Sequence, residues 1–249
     1  MTQPMVLPVI QPAGGPGGRA PAGGMRRATV REVIHPNPHA VILRLEVPDR
    51  VDHLPGQHYT IRLTAEDGYV AQRSYSLASP PSDPLLEFYI ERLEDGEVSI
   101  FLADVVQPGD ELDIRGPIGG WFVWDGDRPA VGLGGGSGVV PLLAMLRHAV
   151  HTGQESQLQL AVSARTRADL PYADELEAAG AVIVLTREDS AAGRPRGRLA
   201  AAELRPLVSP DVTCYVCGSN SFAEAASMLL LGADVPAQSV RIERFGPSG

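Results

Sequence analysis

Cysteine is scarce in this chain of 249 residues, where Cys214 and Cys217 are the only two. So small a number argues against a disulfide framework. It also falls short of the four ligands that an iron–sulfur cluster normally takes, and no metal site is expected. No apolar run approaches the ~20 residues of a membrane-spanning helix. The N-terminus lacks the basic-then-apolar layout of a secretory signal, so a cytoplasmic protein is expected. Excess positive charge is missing too: a formal charge of −9 speaks against nonspecific nucleic-acid binding, which draws on a basic face. What remains is ordinary for a soluble protein, with 44% hydrophobic and 20% charged residues. The length suits one large or two modest domains with a real core.

The chain divides into three stretches. Residues 1–24 hold five prolines and six glycines without apolar periodicity, and such a segment buries too little surface to offset its ordering entropy. A disordered tail is expected there. From 25 to 125 the signals are extended: 29–34, 41–47, 58–63, 86–91 and 111–115 are β-rich and partly alternating, with turns at Pro55-Gly56, Asp67-Gly68, Asp95-Gly96 and Pro108-Gly109. Many short strands of this spacing predict a small antiparallel β-barrel, interrupted by one helix over about 98–105. From 126 to 249 strand and helix alternate, which predicts an α/β doubly wound parallel sheet. Its strands are read at 130–133, 158–163, 181–185, 213–217 and 240–243, and its helices at 139–151 and 222–231. Gly153 and Gly232 stand where left-handed helix caps are expected. The boundary is expected between Gly120 and Asp127.

Two blocks carry chemistry. Arg73-Ser74-Tyr75-Ser76 sets a cation, a flat phenol and a hydroxyl along one extended segment. An Arg can clamp a phosphate bidentately, a Tyr can lie on an aromatic ring, and a Ser can donate to a ring nitrogen. Gly134-Gly135-Gly136-Ser137-Gly138-Val139-Val140-Pro141 follows an apolar run and opens a helix. Exposed backbone N–H groups and the helix dipole favour a pyrophosphate there. Counted from Gly136 the block reads Gly-Ser-Gly-Val-Val-Pro, with Pro141 replacing the third glycine of the common dinucleotide fingerprint. Proline is tolerated that early in a helix. Val139 stands where a hydrolase elbow centred on Ser137 would need glycine.

Together the blocks resemble the ferredoxin–NADP reductase family, which pairs a flavin-binding barrel with a nicotinamide-dinucleotide domain. The resemblance runs from Met25 to the C-terminus and includes Pro55-Gly56-Gln57, Asp95-Gly96-Glu97-Val98-Ser99 and Gly116-Pro117-Ile118-Gly119. It implies bound FAD, with Arg73 at the pyrophosphate, Tyr75 by the ring or ribitol and Ser76 near the reactive ring nitrogen. The turn of Gly96, Val98 and Ser99 would meet the second phosphate. Glu91 departs from the family, whose members often carry a basic residue in that segment, and it is expected to face away or to meet the adenosine end.

For the nicotinamide half the resemblance implies that Gly135, Gly136, Ser137, Gly138 and Pro141 hold the dinucleotide. Arg165, Arg187 and Arg198 match arginines that hold the 2′-phosphate of NADPH, while the acids Glu188 and Asp189 keep NADH open. Cys-x-x-Cys over 214–217 invites a thiol-redox reading, but on a strand these residues face opposite sides, about 10 Å apart, beyond the ~7 Å disulfide limit. The family instead places Cys217 beside the nicotinamide, with Gly218 permitting close approach and Cys214 in the core. The ending Glu243-Arg244-Phe245 resembles the family's Glu-x-aromatic, so Ser76, Cys217, Glu243 and Phe245 are the expected catalytic set. The implied protein is an FAD-dependent reductase using NADPH. It would feed a separate acceptor such as ferredoxin, flavodoxin or an oxygenase component. An NADH-dependent reductase component and a non-catalytic electron-relay subunit stay open.

Overall fold

The computed structural model describes residues 24–209 and 211–245; the tail expected over 1–24 lies outside them except for Gly24. The first half is a six-stranded antiparallel sheet of β1 (Arg26–Asn37), β2 (Ala40–Glu46), β3 (His58–Thr64), β4 (Val70–Ser76), β5 (Leu86–Glu91) and β6 (Glu111–Ile118). Its order is β4-β3-β6-β1-β2-β5. An antiparallel bridge from Leu77 to Phe88 brings the two ends of that order together, which curls the sheet into a barrel. Period-two alternation explains the interior: Ala28 and Val30, Val41, Leu43 and Leu45, Tyr59 and Ile61, and Phe88 and Ile90 all share one core. Helix α1 (Glu97–Asp104) closes it with Val98 and Leu102.

The second half is a parallel sheet in the order β11-β10-β7-β8-β9. Its strands are β7 (Ala130–Gly135), β8 (Leu158–Ala164), β9 (Val182–Leu185), β10 (Thr213–Gly218) and β11 (Val240–Arg244). Helices α2 (Val140–Thr152) and α3 (Ala173–Ala178) pack on one face, and α4 (Ala201–Leu204) and α5 (Asn220–Leu231) on the other. Alternation along β10 sends Tyr215 and Cys217 to the α2 side and Cys214 and Val216 to the α5 side. The two thiols, both free, are therefore separated by the sheet itself.

Gly153 caps α2 with φ 71°, as expected. Gly232 does not cap α5 that way: its φ of −70° continues the right-handed turn, and the left-handed residue is Asp234 at φ 62°. Helix α5 also begins two residues before the expected Phe222, because the Ser219 hydroxyl accepts from Phe222 N and caps it.

Strand β5 is buried on both faces. Leu86, Phe88 and Ile90 fill the barrel, while Tyr89 joins the core of the second half. Glu87 lies on that second face, only 8% exposed. Arg147 of α2 donates to its carboxylate at 2.8 Å, to the Ala78 carbonyl at 3.1 Å and to Glu175 at 2.8 Å. Tyr172 donates to Glu87 at 2.9 Å. This junction fixes one half against the other and opens a cleft along their common edge.

Candidate active site

The flavin-side wall is made by β3 and β4. Their register pairs His58 with Ser76 and Tyr59 with Tyr75, and directly paired residues of antiparallel strands share a face. Tyr75 packs at the margin of the barrel core, where burial pushes its phenol upward. Ser76 is buried, and its hydroxyl has no partner among the described residues. Arg73 is exposed and, among the described residues, donates only to the carbonyl of neighbouring Gln72. All 21 lysine-or-arginine positions are arginine, so every permanently charged side chain that could meet a phosphate is a guanidinium.

The turn into α1 is held together by Ser99. The Ser99 hydroxyl donates to the Gly96 carbonyl at 3.0 Å and accepts from Leu93 N at 3.2 Å. It is thus spent on holding the turn, and the first-turn N–H groups of α1 are what the turn offers an anion.

On the dinucleotide side, β7 ends at Gly135, and Gly136 turns at φ 56° with open space around its Cβ position. Gly138 has the opposite reason to be glycine: a Cβ would lie 2.2 Å from the Cys217 carbonyl oxygen. The loop can therefore lie flat on β10 only without a side chain there. Pro141, in the first turn of α2, is buried. Ser137 donates to Glu91 at 2.8 Å, across from the barrel. Glu91 thus lines the cleft and does not face away from it.

At the rear, parallel pairing sets Glu243 beside Cys217. Glu243 Oε1 lies 3.7 Å from His58 Nδ1, and its Oε2 is buried without a partner among the described residues. Burial raises the Glu243 carboxyl to about 7 and lowers the His58 imidazole. Burial and then the neighbouring Glu243 charge push the Cys217 thiol well above its ordinary range. Phe245 donates its backbone N–H to Gly218 at 2.9 Å, and its ring packs against the second half's core. His58 was not anticipated from the sequence. Its signal was its place immediately after Pro55-Gly56-Gln57, at the first residue of β3.

These walls enclose a cleft of about 1820 Å³, larger than the roughly 300–1,000 Å³ of a drug-sized site. Of the expected residues it is lined by Arg73, Tyr75, Ser76, Gly96, Val98, Ser99, Gly135, Gly136, Ser137, Arg165, Arg187, Arg198, Glu243 and Phe245. Gly138, Pro141, Cys217 and Gly218 do not line it; they form the packing behind the loop and β10. Arg165 and Arg187 follow β8 and β9 at the carboxyl edge of the sheet, joined by a backbone hydrogen bond of 2.8 Å, where ligands of such sheets bind. The adjacent acids are engaged elsewhere: Glu188 accepts from Arg167 N at 2.6 Å and Asp189 from Arg196 N at 2.8 Å.

Comparison with known proteins agrees with this geometry. The profile of the oxidoreductase FAD-binding domain matches residues 27–123, and that of the oxidoreductase NAD-binding domain matches residues 133–228. The propane 2-monooxygenase reductase component of Mycolicibacterium smegmatis is 31% identical over 244 residues, covering 90% of this chain and 69% of that protein. The chain belongs to the ferredoxin–NADP reductase family. The propane 2-monooxygenase reductase component of Mycolicibacterium goodii is 32% identical, over 82% of this chain and 63% of that one. The chain thus spans 63% and 69% of the length of these two family members. The flavohem-like FAD/NAD-binding domain of nitric oxide dioxygenase from Vibrio cholerae superposes with a TM-score of 0.78 at 26% identity, over 90% of this chain and 100% of that one. The residues present suit the family's two cofactors. Ser76, whose buried hydroxyl has no partner among the described residues, and Gly136, with open space where a side chain would begin, both line the cleft. Among the described residues no helix is long and apolar enough to cross a membrane.

Proposed function

We propose that the protein is a reductase that takes hydride from NADPH onto bound FAD and passes electrons to a separate acceptor protein, such as a ferredoxin, a flavodoxin or an oxygenase component. The observation that carries this reading is the convergence of Ser76, His58 and Glu243 at the seam of the two sheets. Two of their buried oxygens, Ser76 Oγ and Glu243 Oε2, have no hydrogen-bond partner among the described residues. Buried polar atoms are nearly always satisfied, so an orphan pair in a cleft marks a ligand position. The flavin domain would take residues 25–125 and the dinucleotide domain 126–249. A cytoplasmic site of action belongs to the same proposal, since nicotinamide dinucleotides and partner proteins are met there.

FAD supplies the redox chemistry, accepting two electrons as hydride and releasing them singly. The chain's residues bind and orient. Arg73 holds the pyrophosphate, Tyr75 packs along the ring and ribitol, and Ser76 Oγ donates to the reactive edge. The start of α1 at Gly96, Val98 and Ser99 faces the second phosphate through its backbone. Gly135, Gly136 and Ser137 take the nicotinamide dinucleotide's pyrophosphate at the head of α2. Arg165, Arg187 and Arg198 take its 2′-phosphate, a role supported by their freedom from ion pairs among the described residues and by the engagement of Glu188 and Asp189 elsewhere.

Glu243, raised to about 7 by burial, can hold a proton near neutrality and so limits negative charge beside the transferred hydride. Phe245 covers the position that the nicotinamide must enter. Cys217, Gly218, Gly138 and Pro141 form the rear support. Stopped-flow mixing of the yellow protein with NADPH and with NADH tests the whole reading. Bleaching of the flavin absorbance, faster with NADPH, is expected; a protein that retains no flavin after reconstitution with FAD would overturn it.

A further inference from the structure

Glu91 ends β5 in the flavin half, while Ser137 lies in the glycine loop of the other half, so their 2.8 Å hydrogen bond spans the cleft. A carboxylate and a phosphate are both oxyanions that accept from the same kind of donor. Glu91 therefore sits on a group that a dinucleotide pyrophosphate would use. Its charge is not cancelled locally. The neighbouring Arg92 is committed to Asp104 of α1 through contacts of 2.8 and 2.9 Å, and among the described residues no cation pairs with Glu91.

We propose that Glu91 sets the affinity of the glycine loop for nicotinamide dinucleotides: it occupies Ser137 in the free protein and must yield that hydroxyl when a pyrophosphate enters. This rests on the loop's being the dinucleotide site. Exchange of one oxyanion for another weakens binding without touching the nicotinamide, and it hastens departure of the oxidised product.

The test uses the full-length FAD-loaded protein and its Glu91→Gln and Glu91→Ala variants. Each is titrated by calorimetry with ADP-ribose, which carries the pyrophosphate, and with 2′-AMP, which does not. Loss of one exposed charged contact predicts ADP-ribose binding tighter by about three- to tenfold in both variants, with 2′-AMP unchanged. The gain should vanish when Ser137→Ala is added. Unchanged or weaker ADP-ribose binding in both variants overturns the proposal. So does loss of FAD from both, which would assign Glu91 to the flavin, or an equal gain for 2′-AMP, which would reduce its effect to general charge. A wild-type holoprotein that binds neither NADP⁺ nor NAD⁺ would instead remove the underlying reading of the loop, and the proposal with it.

Discussion

Arg147 of α2 donates to Glu87 of β5 at 2.8 Å, joining the dinucleotide half to the barrel at a point where both side chains are largely withdrawn from water. The same guanidinium grips Glu175 at 2.8 Å and the Ala78 carbonyl, and its carbon lies 4.9 Å from the centre of the Tyr172 ring. Arg44 approaches Glu87 from the barrel side at 3.3 Å. A buried pair is strongly destabilised when one partner is removed, because the other is left desolvated. Arg147→Ala should therefore lower stability by about 2 kcal/mol, less than for a fully buried pair because Arg44 and Tyr172 still serve Glu87. For a chain of this size that is roughly 4–8 °C in Tm. Flavin content should stay the same, while hydride transfer slows as the two walls lose their fixed spacing. A melt within about 1 °C of wild type would show that the junction is held by apolar packing alone.

Glu243 predicts a pH signature. Its native carboxyl stands at about 7 against an ordinary 4.5. As pH rises from 4.5 to 7 the unfolded chain gives up this proton first. The native state then loses stability, and the loss is complete above 7. The difference corresponds to at most about 3 kcal/mol. His58 works the other way, since its lowered native value makes stability rise with pH up to 6.5. Glu243→Gln should hence stabilise the protein more at pH 8 than at pH 4.5. Urea midpoints at the two pH values decide it, and a variant no better than wild type at pH 8 would contradict the buried, unpaired carboxylate.

Much of this was legible in the chain. Alternation placed the barrel strands, and strand–helix alternation with a glycine block placed the parallel sheet, because both depend on neighbours a few residues apart. The opposite facing of Cys214 and Cys217 followed from strand geometry. What stayed hidden depends on which distant residue a side chain meets. Arg147 and Glu87 are 60 positions apart, and Ser137 and Glu91 are 46 apart. No local signal encodes either pairing. His58 acquires interest only through Glu243, brought to it by the packing of β11 against the barrel. Ser99 and Gly232 were obscured in a different way. Each residue type was right for the expected role, but local hydrogen bonding claimed the Ser99 hydroxyl, and α5 kept its right-handed turn through Gly232.

Arg187 should separate the two nicotinamide donors. A 2′-phosphate stripped of cationic partners is poorly compensated for its lost hydration, whereas a guanidinium can pair with it at two points. Arg187→Ala should lower kcat/KM for NADPH by about tenfold to a hundredfold, the value of one charged hydrogen-bonding contact, and leave NADH within about twofold. Steady-state kinetics with both donors measure this directly. An equal fall for both would place Arg187 at the shared part of the dinucleotide.

Phe245 yields the last prediction. Its backbone is pinned to Gly218 at 2.9 Å, and the residue lines the cleft beside Glu243; on the proposed reading its ring covers the position that the nicotinamide must enter. Productive binding then has to displace it, at the expense of ring packing worth ~0.5–1.5 kcal/mol. Removing residues 245–249 should let oxidised cofactor bind more tightly, by about two- to tenfold, with a stronger charge-transfer band. The preference for NADPH should narrow, because ring stacking adds binding energy that the 2′-phosphate does not influence. Turnover need not rise: tighter ground-state binding leaves the barrier unlowered and slows release. Titration of the truncated protein with NADP⁺ and NAD⁺ checks both statements. If neither the spectrum nor the donor ratio changes, the C-terminal aromatic has no part in admitting the nicotinamide.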